Sequence, residues 1–523
     1  MLKNVQNNKK NKCKQIRKEQ KGITLIALVI TIVIIIILAT ITINFAFGDN
    51  GLINMAEEAR DLAANSTDYE SNARANLVAY MNEYIAGLNG GSSGGGTDEP
   101  EEPTPPESEP LPTDGTFNED KGVNTPQIGD DMELVEFKED TKEWVSDEMN
   151  DSYEYVDTSI SGNENKSEWA NAKVTKNGID SYFVWIPRYA YKITYYTDAD
   201  KTQVSTSSTP TAYGTIDIKF INGTGNVAAD GTQCKYANEN PDVTKDYVVH
   251  PAFTTDENYG GGWSKELAGI WIGKFEAARS DSEGTIQGSA TTIKTQAGVT
   301  SFRSIKIGEM YTNALAYAEE LQSHMLKNSE WGAVAYLTES KYGRNGTEVT
   351  QNTNEDYLTG GGTGTAYAET NTNQSSTGNV YGIYDLNGGT YEYVAGYYKN
   401  GDSTSLNNGS SFTDGTSDAY STAYDTAVAE TGYKYGDATY ETSGWHSDDA
   451  VFVNSYVPFF LRGGYRNSSA TDSGIFYFSV SSGGNGVGDS TYSFRLALVM
   501  WNLLSEPAFN TLKKYENIVP LEQ

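Results

Sequence analysis

The chain has 523 residues, 37% apolar and 21% charged, with a formal net charge of −32. That length and composition suit two or three domains with a buried core rather than a disordered chain. The acidity is uneven: residues 1–22 hold eight Lys/Arg against one Glu, so about 39 net negative charges lie beyond Gly22. A surface that acidic excludes nucleic acid as a partner, because such binding depends on Lys and Arg neutralising phosphates. Cys13 and Cys234 are the two cysteines. With one in the basic leader, no intrachain disulfide framework or cysteine-rich metal site is available.

Residues 1–22 form a basic leader, and Ile23 to Phe47 then runs about 25 residues without a charge. As a helix that stretch is about 37 Å long, enough to cross a hydrocarbon core of about 30 Å with some tilt. The Lys-rich flank keeps the leader cytoplasmic and sends everything after Asn50 outward. Lys21-Gly22-Ile23-Thr24-Leu25-Ile26-Ala27-Leu28 resembles the class III leader of type IV prepilins. The resemblance implies cutting by a prepilin peptidase between Gly22 and Ile23, methylation of the new N-terminus, and display at a bacterial cell surface. Pilins usually carry Glu at the fifth mature position, where this chain has Ala27. A plain membrane anchor is therefore preferred over a minor pilin-like subunit.

Beyond the span, Leu52, Met55, Ala59 and Leu62, then Leu77, Met81, Tyr84 and Leu88, repeat at helical spacing and predict an amphipathic stalk over 48–89. Residues 90–131 read as a linker, Gly/Ser-rich over Gly90–Gly96 and Pro/Glu-rich over Asp98–Pro112. Extended as polyproline II, the second tract spans roughly 45 Å.

Met132 to Met500 reads as an α+β head of short strands and long loops, with a tail over 501–523. Phe183–Pro187 and Gly269–Phe275 predict strands, Tyr311–Leu326 a helix, and Lys399–Trp445 a long insertion or surface loop. The Gly90–Gly94 and Gly223–Ala228 stretches match loose catalytic and dinucleotide patterns, but the first lies in the linker and the second precedes a plain turn. His250, His324 and His446 are the only histidines, and their scatter gives no metal-ligand spacing. Asp385, Asn387 and Glu392 offer hard oxygen ligands that would suit Ca2+. A type I turn explains that stretch equally well, so no metal or cofactor is assigned.

The C-terminal third carries three blocks in order: Gly378–Val394, with Asn379, Gly382, Asp385, Gly388 and Glu392 in register, then Arg462-Gly463-Gly464-Tyr465, then Ser493-Phe494-Arg495. They resemble the formylglycine-generating enzyme (sulfatase-modifying factor) family over about 175–498, which implies a C-type-lectin-like fold. The cysteines that the family's oxygen-activating members use after Arg-Gly-Gly are replaced by Tyr465 to Asp472. The histidine cluster of its iron-dependent relatives is also missing, so catalysis is the least favoured reading.

Residues 462–498 also resemble the hypermutated segments of diversity-generating-retroelement variable proteins, which use the same fold. That implies a diversified ligand-binding surface facing an extracellular protein or glycan. Tyr offers amphipathic contact area at low entropy cost, and Ser, Gly and Asn offer adaptable hydrogen bonds. The candidate contact residues are Tyr465, Arg466, Asn467, Ser468, Asp472, Tyr477, Ser479, Asn485, Asp489 and Tyr492. Strand alternation predicts Ile475 and Tyr477 on one face and Phe476 and Phe478 on the other, with one face displayed. Arg462 and Arg495 read as structural residues fixing strand ends.

Overall fold

The computed structural model describes residues 110–280, 293–362, 371–479 and 484–500. The leader (1–22), the apolar span (23–47), the helical stalk (48–89), the first half of the linker and the tail (501–523) lie outside the described residues. Among the described residues, no helix is long and apolar enough to cross a membrane.

The expected α+β body, mostly short sheets with few helices and long connections, is what these residues form. Two sheets position the site. Their strands are β1 (Met132–Lys138), β2 (Glu143–Ser146), β3 (Asn171–Lys176), β4 (Ile179–Pro187), β5 (Gly269–Gly273) and β6 (His324–Met325), followed by β7 (Tyr391–Tyr398), β8 (Thr422–Tyr424), β9 (Phe459–Gly463), β10 (Gly474–Ser479), β11 (Tyr492–Phe494) and β12 (Leu496–Leu498). The larger sheet has the order β6-β12-β5-β4-β3-β1-β2, and the smaller has β8-β7-β9-β10 with β11 beside β7. Trp271 on β5 pairs in register with Trp185 on β4, their rings 5.2 Å apart. Both predicted strands at these tryptophans are present.

The head begins earlier than composition indicates. The segment 110–131, read as the outer half of the linker, packs on this tryptophan pair. Asn124 accepts from the Trp185 indole at 3.2 Å and Gln127 from the Trp271 indole at 2.6 Å, both through their carbonyls. The Asn124 amide donates to Ala268 and Gly223 carbonyls, each at 2.9 Å, and Val123, Asn124 and Thr125 are wholly buried. Buried indole N–H groups need acceptors, and a polar segment supplies them without looking like core.

The predicted helix over Tyr311–Leu326 is displaced. Helix α1 spans Ile307–Leu315, then gives way to a 3-10 turn over Glu319–Leu321 and to β6. The Ser323 hydroxyl stops it, accepting from Ala318 N at 2.8 Å and donating to Leu315 O at 3.2 Å. Helix α2, Asn328–Glu339, is buried along its whole length and so lacks the amphipathic pattern that would announce it. A Cβ on its Gly332 would lie 1.7 Å from the Gly436 carbonyl oxygen, so only glycine permits this approach. The expected insertion or surface loop 399–445 is also drawn inward: Tyr424, Asp437, Glu441 and Trp445 are all buried.

Two buried arginines fix the segment between the sheets. Arg495 stands where the chain leaves β11 for β12. Its guanidinium donates to both Glu392 oxygens, at 3.0 and 2.5 Å, and to the Gly273 and Tyr384 carbonyls at 2.9 Å each. Arg462, on β9, donates to Asn328 Oδ1 at 2.9 and 2.8 Å and to the Ala438 and Asp437 carbonyls at 2.9 and 2.5 Å. Burial pushes its pKa down to about 10. Arg495→Met leaves Glu392 buried without its partner and is expected to destabilise the head by about 3–5 kcal/mol. Arg495→Met with Glu392→Met should recover most of that loss. Chemical denaturation of the single and double variants checks this, and a double variant as unstable as the single would refute it.

Candidate functional site

The site grows from the end of β9. Gly463 and Gly464 have φ of +77° and +75°, which turns the chain out of the sheet into the loop 465–473. The loop's backbone is held from outside the segment. Gln351 donates its amide to the Tyr465 and Ser468 carbonyls at 3.0 and 3.2 Å, and Arg466 N donates to Gly389 O at 3.0 Å. Within the loop, Ser468 N donates to Tyr465 O at 2.8 Å, Tyr465 N to Ser468 Oγ at 3.0 Å, and Ser469 Oγ to Asp472 Oδ2 at 2.7 Å.

Four tyrosines converge beside it. Tyr391, at the start of β7, has its ring 5.1 Å from Tyr465, 6.0 Å from Tyr477 and 5.8 Å from Tyr492. Tyr393 extends the group, 5.4 Å from Tyr492. The Ser468 hydroxyl donates to the Tyr391 phenol at 3.3 Å. Burial pushes the Tyr391 and Tyr477 phenols up and Tyr492 up to about 12, so at neutral pH they act as uncharged hydrogen-bonding groups.

The predicted contact residues divide. Asn467 and Asp489 are exposed, and Tyr465, Arg466, Ser468, Asp472 and Asn485 are half-buried. Tyr477, Ser479 and Tyr492 are buried, at 3, 4 and 4% exposure. All six residues of β10 are buried, which overturns the expectation that alternation displays one of its faces. Trp445 and His446 lie against the Phe476 ring at 5.3 and 5.9 Å, Tyr391 lies against Tyr477, and Trp331 on α2 donates to the Ile475 carbonyl at 2.8 Å. Asp489 accepts from Thr491 N and Oγ1 at 2.9 and 2.8 Å, and Asn485 O accepts from the Asn408 amide at 2.9 Å.

Sequence reasoning missed Gln351, Tyr357, Tyr391 and Arg303 as members of this face. Tyr391 lies in the aromatic block around Glu392, a signal that could have found it. The other three come from distant loops with no local pattern. The Arg466 guanidinium carbon lies 4.8 Å from the Tyr357 ring centroid and that of Arg303 lies 3.8 Å from it.

Asp385, Asn387 and Glu392 each have bonds within the protein, with Asn387 Oδ1 buried and without a hydrogen-bond partner among the described residues. Asp385 accepts from Gly360 N and the Asn352 amide at 2.8 Å each, Asn387 donates to Val349 O at 2.8 Å, and Glu392 is committed to Arg495. Among the described residues, no group of three or more His, Cys, Asp or Glu is placed to hold a metal. Cys234 is buried in a separate small cluster with Ala190, Ile221, Ala228 and Val249, and burial pushes its thiol up to about 11.

No family model and no curated protein matches this chain. Solved structures that align with it include Treponema denticola variable protein 1, at 10% identity and a TM-score of 0.28, covering 63% of this chain and 99% of that one. Another is PvdO from Pseudomonas aeruginosa, at 13% identity and a TM-score of 0.26, covering 61% and 95%. Likenesses this distant carry no argument about function.

An acidic cluster backs β10. Glu348 accepts from Ile475 N at 3.4 Å and Asp448 from Phe476 N at 3.1 Å, while His446 bonds Glu339 at 2.9 Å. Burial alone would lower the His446 pKa, but Glu339, Glu348 and Asp448 together raise it to about 9. A histidine raised in the folded state gives stability that is full below its unfolded value, near 6.5, and lost as pH rises through about 9. Wild type should therefore exceed His446→Gln in melting temperature at pH 6, with the gap closing by pH 9.5. A gap that is constant or widens with pH would refute the assignment.

Proposed function

We propose that this protein is a surface-displayed binding protein whose loop 465–472, flanking residues 485–491 and Tyr391 form the recognition face. The carrying observation is a division of labour. The loop's backbone is pinned by Gln351, Gly389 and the two glycines, while Tyr465, Arg466, Asn467, Ser468 and Asp472 leave the core to others and reach solvent at least partly. Residues 462 and 495, at the ends of the segment, are wholly buried arginines. A fixed frame around a free polar and aromatic surface is the physical requirement of a diversified binder. It supports the retroelement variable-protein reading and a C-type-lectin-like head. Binding rather than catalysis is supported by Tyr465 to Asp472 standing where the related enzymes carry cysteine. The ligand is an extracellular protein or glycan, and the N-terminal helix would hold the head to a bacterial membrane after cleavage at Gly22-Ile23.

Deep sequencing of the gene's 3′ end across a growing population tests diversification. Substitutions are expected at adenines in the codons for 465–472 and 485–491, and not at Ile475, Phe476, Phe478 or Phe494. An invariant segment, or changes spread evenly through β10 and β11, would remove the diversification reading. Mass spectrometry of the membrane-extracted protein should find a methylated Ile23 N-terminus. An intact Met1 or a cut elsewhere would remove the prepilin-type processing.

A further inference from the structure

Arg303 and Arg466 share one tyrosine ring without sharing a counter-ion. Their guanidinium carbons lie 3.8 and 4.8 Å from the Tyr357 centroid. Arg188 and Arg495 have carboxylate partners, whereas among the described residues neither Arg303 nor Arg466 has one within ion-pair distance. In a chain of net charge −32, two adjacent cations without acidic partners need a reason. Glu276 and Asp489 act on Arg303 through space, and both spend their oxygens elsewhere: Glu276 accepts from the Ser301 hydroxyl and from Thr390 N at 2.7 Å. Asp489 accepts from Thr491 N and Oγ1.

The donors themselves are incompletely used. Arg303, only 6% exposed, donates Nη1 to the Ser490 carbonyl and Nε to Ser301 O at 3.4 Å. Arg466 makes one side-chain bond, to Asn467 Oδ1 at 3.3 Å, and its buried Nε has no partner. The backbone that carries the ring between them is strained: Tyr357 has φ of +55°, a left-handed conformation in which bulky residues are outliers. The Ser301 N and Oγ hold its carbonyl, each at 3.1 Å. Tyr357 is half-buried, so the strain is not offset by a fully buried ring.

We infer that Arg303 and Arg466, braced on Tyr357, form an anion subsite of the recognition face and take the carboxylate of an acidic sugar. This rests on the proposed binding function and names its ligand class. A guanidinium fork matches a planar carboxylate. The outer edge of β10 is closed to an added peptide strand: Ile475, Phe476 and Phe478 donate their N–H groups to Glu348, Asp448 and Asp449, and Phe478 O accepts from Val451 N. Peptide capture by strand addition needs such an edge free. Beside the arginines stand the Tyr465 and Tyr391 rings with Ser468 and Asn467, which offer flat apolar faces and short hydrogen-bonding groups to a pyranose.

Binding of the full-length protein to a glucuronate-terminated oligosaccharide, its glucose-terminated counterpart and a poly-glutamate peptide tests this. The glucuronate probe should bind, weaken as salt rises, and lose at least tenfold in affinity in Arg466→Gln. The melting temperature of that variant should fall little, since the side chain makes a single hydrogen bond besides its contact with the Tyr357 ring. Equal binding of the glucose probe, lost in Tyr465→Ala but untouched by Arg466→Gln, would overturn the anion subsite and leave the recognition face standing. Preference for poly-glutamate, or binding of none of the three probes, would overturn the acidic-sugar assignment.

Discussion

The ion pair between Arg495 and Glu392 is the constraint on which the rest of the head depends. It lies where the chain passes from β11, beside β7 in the smaller sheet, to β12 in the larger, and both side chains are essentially excluded from solvent. Glu276 and Asp385 lie close enough to shift and be shifted by these charges. Burial pushes all three carboxyls up, and the one guanidinium among them also satisfies the Gly273 and Tyr384 carbonyls from two further elements. A buried pair is weak evidence of net stability, yet it is intolerant of losing one partner. That intolerance specifies how the two sheets meet.

Arg462 does the matching task at the other end with neutral partners only. Asn328 at the start of α2 and two carbonyls of the 437–438 turn absorb its donors. The segment between the arginines is thus suspended from two immobile points. Between them β10 is packed on both faces, and the loop 465–473 and the 484–491 approach are the parts left for contact. The face that results is composite, with Tyr391, Tyr357 and Arg303 contributed by the frame.

The blocks around Glu392, Arg462 and Arg495 were legible because each joins turn glycines, aromatics and a single charge in a short span. The strands at Trp185 and Trp271 were legible as dense apolar runs. The start of the head was not, because the residues that satisfy buried indoles, Asn124 and Gln127, are polar and lie in a polar stretch. Helix α2 has no polar face, and Ser323 breaks a helical period that the apolar residues continue. Tyr477 and Tyr492 were read as contacts from residue type. Whether a tyrosine is displayed or packed depends on what lies over it, here Tyr391, which local pattern does not report.

The Gln351 clamp has a consequence for how such a surface can change. Its amide grips main-chain oxygens of the loop, atoms that every amino acid supplies alike. That grip is indifferent to the side chains at 465 and 468, whereas the Ser468, Ser469 and Asp472 side chains add bonds of their own inside the loop. A replaced residue at 466 or 467 inherits a backbone already held in place, which lowers the entropy cost of any contact made there. The glutamine that makes this grip lies outside the segment 462–498, so its hold stays in place when a residue of the segment is replaced.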